Sequence, residues 1–409
     1  MKKAPSPIVS LIPIIVLVLL LFATIRTFGS DALSGGSQVS LLTTTAICIL
    51  IGMVFYKIPW KDYELAITNN IAGVATAIII LLIIGALSGI WVISGVVPTL
   101  IYYGMQIIHP SFFLASTCII CALISVMTGS SWTTIATIGI ALMGIGKAQG
   151  FEDGWIAGAI ISGAYFGDKI SPLSETTILA SSITDTPLFR HIRYMMITTV
   201  PSLVITLIIF TVAGFSHDAN NTQHIAEVAT ALNEKFHITP WLLIVPVATG
   251  ILIAKKVPSI VTLFLSTLLA AVFALIFQPD LLEEISGIAA SGFDSLFKGL
   301  MMTIYGETNL HTDNAVLTDL IATRGMSGMM NTIWLILCAM CFGGAMTASG
   351  MVGSITSIFV RFMKKTVSVV SATVCSGLFL NLTTADQYIS IILTGNMFRD
   401  IYAKKGYES

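Results

Sequence analysis

The chain has 409 residues, of which 55% are hydrophobic and only 10% are charged, whereas a soluble domain carries roughly 25% charged residues. This composition excludes an ordinary soluble protein and predicts a membrane protein. The formal net charge of −1 offers no basic surface to nucleic acid, so a nucleic-acid-binding function is also excluded.

Apolar segments predict the architecture in chain order. No charged residue occurs between Leu65 and Gly146, a stretch several times longer than the roughly 20 residues that one membrane span needs. Shorter charge-free runs occupy residues 4–25, 194–217, 257–279, 325–360 and 366–385. These runs predict an all-α polytopic membrane protein.

The predicted helices follow these runs. They cover residues 8–28, 40–56, 71–93, 96–108, 111–127, 132–147, 154–184 with a break, 193–215, 240–277 as a hairpin, 329–349, 351–363, 366–382 and 387–402. Residues 216–239 and 280–324 are too polar to span a membrane. One apolar face in the first of these stretches predicts an interfacial helix. Its residues are Ile225, Val228, Leu232 and Phe236.

Two parts of the chain are related in sequence. The segment WKDYELAITNNIAGVATAI (60–78) aligns without gaps to AVLTDLIATRGMSGMMNTI (315–333). The same offset pairs Gly89 with Gly344, Ser94 with Ser349 and Gly95 with Gly350, and with one inserted residue it pairs Thr128 with Thr384. Such repeats are typical of secondary transporters, whose halves are commonly inverted and hold the substrate on interrupted helices. We therefore predict an inverted-repeat transporter with broken helices.

Two polar interruptions occupy equivalent places in these repeats. VMTGSSWTT (126–134) and LNLTTADQYIS (380–390) each interrupt an apolar run with hydroxyl or carboxylate groups. Backbone freed by such a break persists at membrane depth only where protein buries it or where it lines a polar cavity. We predict that both breaks supply oxygen ligands to one site. The ligands are Thr128 and Ser130 from the first repeat, and Asn381, Thr383, Thr384 and Asp386 from the second.

A third polar segment, YFGDKISPLSETTILASS (165–182), places three charged residues around a proline. Pro172 disfavours helical backbone at Ser171 and lacks a backbone donor, so one helix is predicted to stop before it. With Ser171 as N-cap and Pro172 as the first helical residue, a new helix would begin with Glu175 in its first turn.

This third break is predicted to be the cation site. The predicted ligands are Asp168, Ser171, Ser174, Glu175 and Thr176, with Na⁺ held between the carboxylates of Asp168 and Glu175. Lys169 balances part of their charge, and a bound Na⁺ or H⁺ neutralises the remaining negative charge. One alternative stays open, in which Asp168 and Lys169 form a buried ion pair or lie at a loop end while Glu175 only caps a helix.

The segment GAYFGDKISPLSETTILAS resembles the signature of the NhaC family of bacterial sodium/proton antiporters, within the ion transporter superfamily. IIGALSGIWVISGVVPTLIYYG (83–104), TGSSWTT and RGMSGMMNTIWLILCAMCFGG (324–344) are similar to other family segments. The resemblance implies a carrier that exchanges Na⁺ for H⁺, and some relatives couple this exchange to malate and lactate. The family more often has aspartate in place of Glu175 and a second glycine in place of Met326.

The family also carries a second proline-broken motif of SPLIPWN type after the segment similar to TADQYISIILTGNMFRDIYAKKG. Continuing the internal repeat from residues 167–175 leads beyond Ser409. We therefore expect that the second half-site is missing from these residues. An open polar cavity should then lie beside the remaining ligands, and the apolar helix faces around 329–349 and 366–382 should be exposed.

Our leading hypothesis is Na⁺/H⁺ exchange by competition at shared carboxylates. A carboxylate exchanger of the malate and lactate type is the alternative, because Lys169 and the nearby hydroxyls could hold an anion. A channel would need a continuous polar pore, which paired broken helices do not favour. An enzyme would need a nucleophile with its base or a metal site, and the sequence contains neither arrangement.

The predicted organisation has four parts: membrane helices at 1–59, a first repeat at 60–215, an interfacial segment with a membrane hairpin and polar linker at 216–314, and a second repeat at 315–409. The expected location is the bacterial cytoplasmic membrane, crossed several times. The expected partners are Na⁺, H⁺ and the lipid bilayer, with a small carboxylate and a homodimer as open alternatives. No cofactor is expected beyond the transported ions.

Overall fold

The computed structural model describes residues 5–216, 222–308, 310, 312, 317–318, 321–355, 366–384 and 387–404. In this part of the chain the secondary structure is helical throughout, with turns between the helices and no β-strand. Seven helical stretches in the described part are long and apolar enough to cross a membrane: Pro7–Phe28, Gly36–Tyr56, Ala75–Ile93, Pro110–Thr128, Leu188–Ser216, Ser259–Phe277 and Gly325–Ala348. The prediction of an all-α polytopic membrane protein is confirmed.

The helices of the described residues are numbered here in chain order. They are α1 Pro7–Phe28, α2 Gly36–Tyr56, α3 Trp60–Gly73, α4 Ala75–Ile93, α5 Val96–Ile107, α6 Pro110–Thr128, α7 Ser131–Thr134, α8 Ile140–Ala148, α9 Asp153–Ile170, α10 Glu175–Ile183, α11 Leu188–Ser216, α12 Thr222–Lys235, α13 Ile244–Ala254, α14 Ser259–Phe277, α15 Pro279–Ser286, α16 Phe293–Tyr305, α17 Met330–Ala348, α18 Thr366–Thr384 and α19 Gln387–Lys404. A π-helix, Ile135–Gly139, joins α7 to α8. Most predicted helices are found within a few residues of their predicted bounds, and residues 356–363 of the predicted helix 351–363 lie outside the described residues.

The chain divides into two compact units. Unit A comprises Ile79–Ile178 and Pro187–Met329, and unit B comprises Met1–Ile78, Leu179–Thr186 and Met330–Ser409. In unit A, Trp91 and Phe113 are among the largest fully buried side chains. The Trp91 indole donates a hydrogen bond to the Ser266 hydroxyl at 3.1 Å, so the one polar atom of this buried ring is satisfied.

The packing of α9 on α6 in unit A depends on two glycines spaced four residues apart. A Cβ on Gly163 would collide with the carbonyl oxygen of Cys118, and a Cβ on Gly167 would collide with that of Ala122. Small residues at this spacing let two membrane helices approach backbone to backbone. The Ser125 hydroxyl strengthens the contact by donating to the Ala164 carbonyl at 2.5 Å. The close approach fixes the position of the carboxyl-terminal end of α9 relative to the end of α6.

The predicted amphipathic helix at 222–236 is present as α12. Three residues of its apolar face, Val228, Leu232 and Phe236, are buried in the hydrophobic core of unit A. Protein therefore covers these three side chains, and the interfacial position of the helix stays a prediction. The fourth predicted residue, Ile225, has a side chain outside the described residues.

Unit B has its own hydrophobic core, in which Cys48, Tyr63, Phe342 and Met346 are buried. The Asn70 amide of α3 donates to the Met340 carbonyl of α17 at 3.4 Å. On α18 one apolar face is exposed along its length: Val370, Val374, Leu378 and Leu382. In a membrane protein, lipid or another helix covers such a face.

Helix bounds recur between the two repeats at the offset found in the sequence. Ala75–Ile93 and Met330–Ala348 each have 19 residues, and so do Pro110–Thr128 and Thr366–Thr384. The turns after α4 and α17 also match, since Gly95 and Gly350 have positive φ angles of 85° and 71°. Equal helix lengths and equal turns are what related halves would produce. The four-part division of the chain and the inversion of the repeats stay predictions.

Candidate ion-binding site

The first predicted break lies in unit A, between α6 and α7. Helix α6 ends at Thr128, and Gly129 has a φ of 67°, a left-handed conformation that glycine adopts without strain. Ser130 is the N-cap of the next helix, and its hydroxyl accepts a hydrogen bond from the Thr133 amide at 3.3 Å. The break predicted in VMTGSSWTT is therefore present, with its turn at Gly129.

The second break in unit A is four residues long and separates α9 from α10. Helix α9 ends at Ile170, and Ser171 has extended backbone angles. The Ser171 hydroxyl accepts from the Leu173 amide at 3.2 Å, whereas the Ser174 hydroxyl accepts from the Thr177 amide at 3.4 Å. Ser174 is therefore the residue that caps α10.

The prediction that Ser171 is the N-cap and Pro172 the first helical residue is wrong. A short turn intervenes, because the Ser174 amide donates to the Ser171 carbonyl at 3.3 Å before the helix begins. Glu175 is the first residue of α10, so its predicted place in the first turn is confirmed. The turn lengthens the break and leaves the Ser171 hydroxyl available for contacts outside it.

The two breaks in unit A contact each other. The Ser171 hydroxyl donates to the Val126 carbonyl, near the end of α6, at 2.8 Å. Gly129 lies against Leu173, where an added Cβ would come within 2.7 Å of the Leu173 backbone. Together with the close packing of α6 on α9, these contacts hold the two breaks in a fixed position relative to each other.

This arrangement of the two breaks places Asp168 beside the start of α7. Asp168 is only 5% exposed, and one of its carboxylate oxygens accepts a hydrogen bond from the Ser131 hydroxyl at 3.1 Å. Among the residues that the structure describes, no lysine, arginine or histidine forms an ion pair with this carboxylate. The negative charge is therefore buried beside a neutral donor.

The predicted role of Lys169 in balancing the charge of the two carboxylates stays a prediction, and the structure describes a different contact for Lys169. Its ammonium crosses the second break and donates to the Thr176 hydroxyl at 3.4 Å. The Thr176 hydroxyl also lies 3.0 Å from that of Ser174, and the Thr177 hydroxyl donates to the Lys169 carbonyl at 3.1 Å. Consecutive residues on a helix point in different directions, so Asp168 and Lys169 face different surroundings. The alternative of a buried Asp168–Lys169 ion pair is not found in the described part of the chain.

The two predicted carboxylate ligands differ in their surroundings. Asp168 is buried, whereas Glu175 is exposed on the first turn of α10. Ser171, Ser174 and Thr176 are buried around the second break. Asp168 and these three hydroxyl residues are thus all buried, and a joint Na⁺ site of Asp168 with Glu175 stays a prediction.

Thr128 and Ser130 stabilise the first break itself. The Ser130 amide donates to the Thr128 hydroxyl at 3.1 Å, and the Thr134 hydroxyl donates to the Ser130 carbonyl at 3.0 Å. Their described hydrogen bonds all remain within the last turn of α6, the break and the first turn after it. These two residues position the start of α7, and their predicted role as ion ligands stays a prediction.

Ser131 is the residue that sequence reasoning missed. The pair Ser130-Ser131 offers two hydroxyls, and the sequence alone does not tell which one is the cap. Once Ser130 is the cap, Ser131 is the first residue of α7 and its side chain projects from the helix. A stricter placement of the cap after Gly129 is the signal that would have identified it.

The predicted ligands of the second repeat belong to unit B. Asn381 is an exposed residue near the end of α18. Thr383 and Thr384 lie in its last turn, and their side chains are outside the described residues. Within the interruption predicted at 380–390, residues 385–386, which include Asp386, are outside the described residues. Their predicted roles stay predictions.

Known antiporters are similar to this chain over most of its length. The sequence profile of the Na⁺/H⁺ antiporter family matches residues 163–409, a range that begins on α9 just before Asp168. The Na⁺/H⁺ antiporter NhaC of Bacillus subtilis is 35% identical over 369 residues, which cover 90% of this chain and 78% of that protein. The malate-2H⁺/Na⁺-lactate antiporter of the same organism is 36% identical over 367 residues, covering 89% of this chain and 75% of that protein.

A third relative is the Na⁺/H⁺ antiporter NhaC of Alkalihalophilus pseudofirmus, which is 36% identical over 361 residues and covers 88% of this chain and 75% of its own length. The resemblance inferred from the segment around Asp168 thus extends over most of the sequence. The chain is a multi-pass membrane protein that belongs to the Na⁺/H⁺ antiporter family, among its NhaC-type members.

Proposed function

We propose that this protein exchanges Na⁺ for H⁺ across the bacterial cytoplasmic membrane, and that both ions bind in turn at the carboxylate of Asp168. The observation that carries this proposal is the environment of that carboxylate. It is 5% exposed and accepts one hydrogen bond from a neutral hydroxyl, with no cationic side chain paired to it among the described residues.

A buried, unpaired carboxylate is costly in a membrane protein, because little water remains to stabilise its charge. Either Na⁺ or H⁺ removes that cost by neutralising the carboxylate. One carboxylate cannot hold both ions at once, so binding of one expels the other. Exchange follows when the protein exposes the neutralised site alternately to the two sides of the membrane, as repeat-based transporters do.

The relatives support the choice of ions. Two of the three are named Na⁺/H⁺ antiporters, and the name of the third includes both Na⁺ and H⁺. In this proposal the protein is a transporter rather than an enzyme, and its surroundings are the lipid bilayer. A homodimer stays a prediction.

Everted membrane vesicles test the proposal. A dye that reports the pH gradient should show Na⁺-dependent dissipation of the gradient with the wild-type protein. Asp168→Asn should reduce this activity at least 100-fold while the protein remains inserted, because the amide preserves the shape and removes the charge. Asp153→Asn is the matched control, since Asp153 lies on the same helix, is exposed and pairs with Lys147 at 3.2 Å. It should exchange ions as the wild type does.

Na⁺-dependent exchange by Asp168→Asn at the wild-type rate would contradict the assignment of Asp168. Loss of exchange in Asp153→Asn to the same extent would show that any change of charge on α9 disrupts the protein. In that case the result with Asp168→Asn would no longer support a binding role.

A second candidate function is exchange of a small carboxylate, and the ammonium of Lys169 favours it. Its described partner is the neutral Thr176 hydroxyl, and the Ser174 hydroxyl lies beside that group. A cation with neighbouring hydroxyls in a helix break can bind a carboxylate. One relative is named as a malate and lactate antiporter.

This candidate has its own test. Addition of malate or lactate should stimulate Na⁺-dependent exchange by the wild type, and Lys169→Gln should abolish the stimulation and leave the exchange that occurs without the organic acid. Lys147→Gln serves as the control on the neighbouring helix. An equal response to both acids in Lys169→Gln and in the wild type would rule out this role for Lys169.

A further inference from the structure

The Ser131 hydroxyl contacts the carboxylate of Asp168 at 3.1 Å, and this residue is not among the ligands predicted from the sequence. We propose that Ser131 is a direct Na⁺ ligand that acts together with Asp168, its hydroxyl oxygen and the carboxylate forming a two-oxygen clamp. This inference rests on the proposed Na⁺/H⁺ exchange at Asp168 and assigns a further residue to that site.

The chemistry of the contact favours a ligand. The Ser131 hydroxyl donates its only hydrogen to Asp168 across 3.1 Å. Its oxygen therefore keeps two lone pairs for a cation. Ca²⁺, an ion of nearly the same radius as Na⁺, takes protein oxygens at roughly 2.3–2.6 Å. Two oxygens 3.1 Å apart can both contact one ion at such distances.

The other hydroxyls of the same turns are used within their own segment. The Thr133 hydroxyl donates to that of Ser130 at 3.2 Å, the Thr134 hydroxyl donates to the Ser130 carbonyl at 3.0 Å, and the Thr137 hydroxyl donates to the Thr133 carbonyl at 2.8 Å. Ser131 differs because its hydroxyl leaves its own segment and contacts the carboxylate of α9. The described hydrogen bonds thus distinguish Ser131, the proposed ligand, from neighbouring hydroxyls that stabilise their own segment.

The position of Ser131 is fixed from two directions. Ser130 caps the helix that Ser131 begins, while Gly129 contacts Leu173 in the second break. Ser131 itself is only 3% exposed. A rigid, buried hydroxyl loses little conformational freedom when an ion binds, which is what a preorganised ligand requires.

Direct measurement of Na⁺ binding tests this role without relying on transport. Full-length protein in detergent is titrated with NaCl against choline chloride, and ²²Na⁺ binding and the Na⁺-dependent rise of the unfolding temperature are followed. Ser131→Ala should weaken Na⁺ binding about tenfold, in line with the loss of one neutral oxygen contact to a charged group. Ser131→Thr keeps the hydroxyl and should bind nearly as well as the wild type.

Two further variants separate ligand loss from general damage. Ser131→Cys nearly preserves the volume and replaces the hard oxygen with sulfur, so it should weaken Na⁺ binding even if Ser131→Ala folds poorly. Thr137→Val is the matched control, because Thr137 is a buried hydroxyl further along the same segment that bonds only to that segment's backbone among the described contacts. It should leave Na⁺ affinity unchanged.

Wild-type affinity in Ser131→Ala or Ser131→Cys would overturn this role of Ser131 alone, and the proposed exchange at Asp168 would stand. Equal weakening by Thr137→Val would also overturn it, since the effect would then be one of packing. A wild-type protein that binds no Na⁺ would overturn the exchange function and the Ser131 assignment with it.

Discussion

The two ends of helix α9 carry aspartates in opposite circumstances. At the amino-terminal end, Asp153 is exposed and pairs with Lys147 of α8 at 3.2 Å. At the carboxyl-terminal end, Asp168 is buried and accepts a hydrogen bond from Ser131 at 3.1 Å. One helix thus holds a carboxylate whose charge is already compensated and another whose charge is not.

The difference separates a structural charge from a functional one. An exposed ion pair contributes little to stability, typically 0–1 kcal/mol, and either partner can be replaced at little cost. A buried carboxylate without a cationic side chain is stable only with help from another source of positive charge. We infer that the transported ion supplies this charge at Asp168, and that the packing of α6 on α9 keeps the site dry enough for the effect to be large.

The largest expected effect comes from removing that packing. Gly167→Leu places a side chain against the backbone of Ala122, and it should lower stability by about 1–3 kcal/mol or more and abolish exchange. Gly154→Leu, at the other end of α9, is the control, because no atom lies within 4 Å of its added Cβ. Thermal unfolding and vesicle transport measure both effects. Equal losses of stability and exchange in the two variants would show that the helix contact at Gly167 is no more important than the exposed end of α9.

The second prediction is that replacing the two aspartates changes the free energy of unfolding in opposite directions. At alkaline pH and without Na⁺, Asp168→Asn should raise the unfolding free energy by about 1–3 kcal/mol, because it removes a buried charge that has no cationic partner. Asp153→Asn should lower it by about 0–1 kcal/mol through loss of an exposed pair. Denaturation of both variants in the same detergent provides the measurement. Destabilisation by Asp168→Asn under these conditions would mean that the carboxylate is already compensated.

The smallest expected effect concerns Glu175. Glu175→Asp restores the residue that the family more often has and keeps the carboxylate at the exposed start of α10. Exchange should therefore persist, with an apparent Na⁺ affinity changed by only a few-fold. Transport at a series of Na⁺ concentrations measures the change. Complete loss would show that Glu175 makes a contact that the shorter side chain cannot reach.

The local sequence predicted the breaks but not every role within them. Gly129 and Pro172 mark them because left-handed backbone and a missing amide donor are properties of single residues. The cap moved from Ser171 to Ser174 because a hydrogen-bonded turn follows Pro172, and single-residue preferences do not predict its length. The recurrence of helix bounds in the second repeat could likewise be predicted from the nearly constant sequence offset.

Contacts between distant segments were not accessible in this way. The bond from Ser131 to Asp168 depends on the approach of α6 and α9 at Gly163 and Gly167. If a sequence-based prediction places the cap one residue away, it assigns the contact with the carboxylate to a different hydroxyl. The separation of Lys169 from Asp168 depends in the same way on which side of α9 each residue faces, whereas only their adjacency is visible in the sequence.

The most direct test of the account is proton release on Na⁺ binding. Purified protein in detergent and weak buffer is mixed with NaCl, and a pH indicator reports protons set free, with choline chloride as the blank. If Na⁺ and H⁺ share the carboxylate of Asp168, the wild type and Asp153→Asn should release protons that saturate with Na⁺, and Asp168→Asn should release none. Release by Asp168→Asn equal to that of the wild type would contradict the central claim, because the exchanged proton would then reside elsewhere.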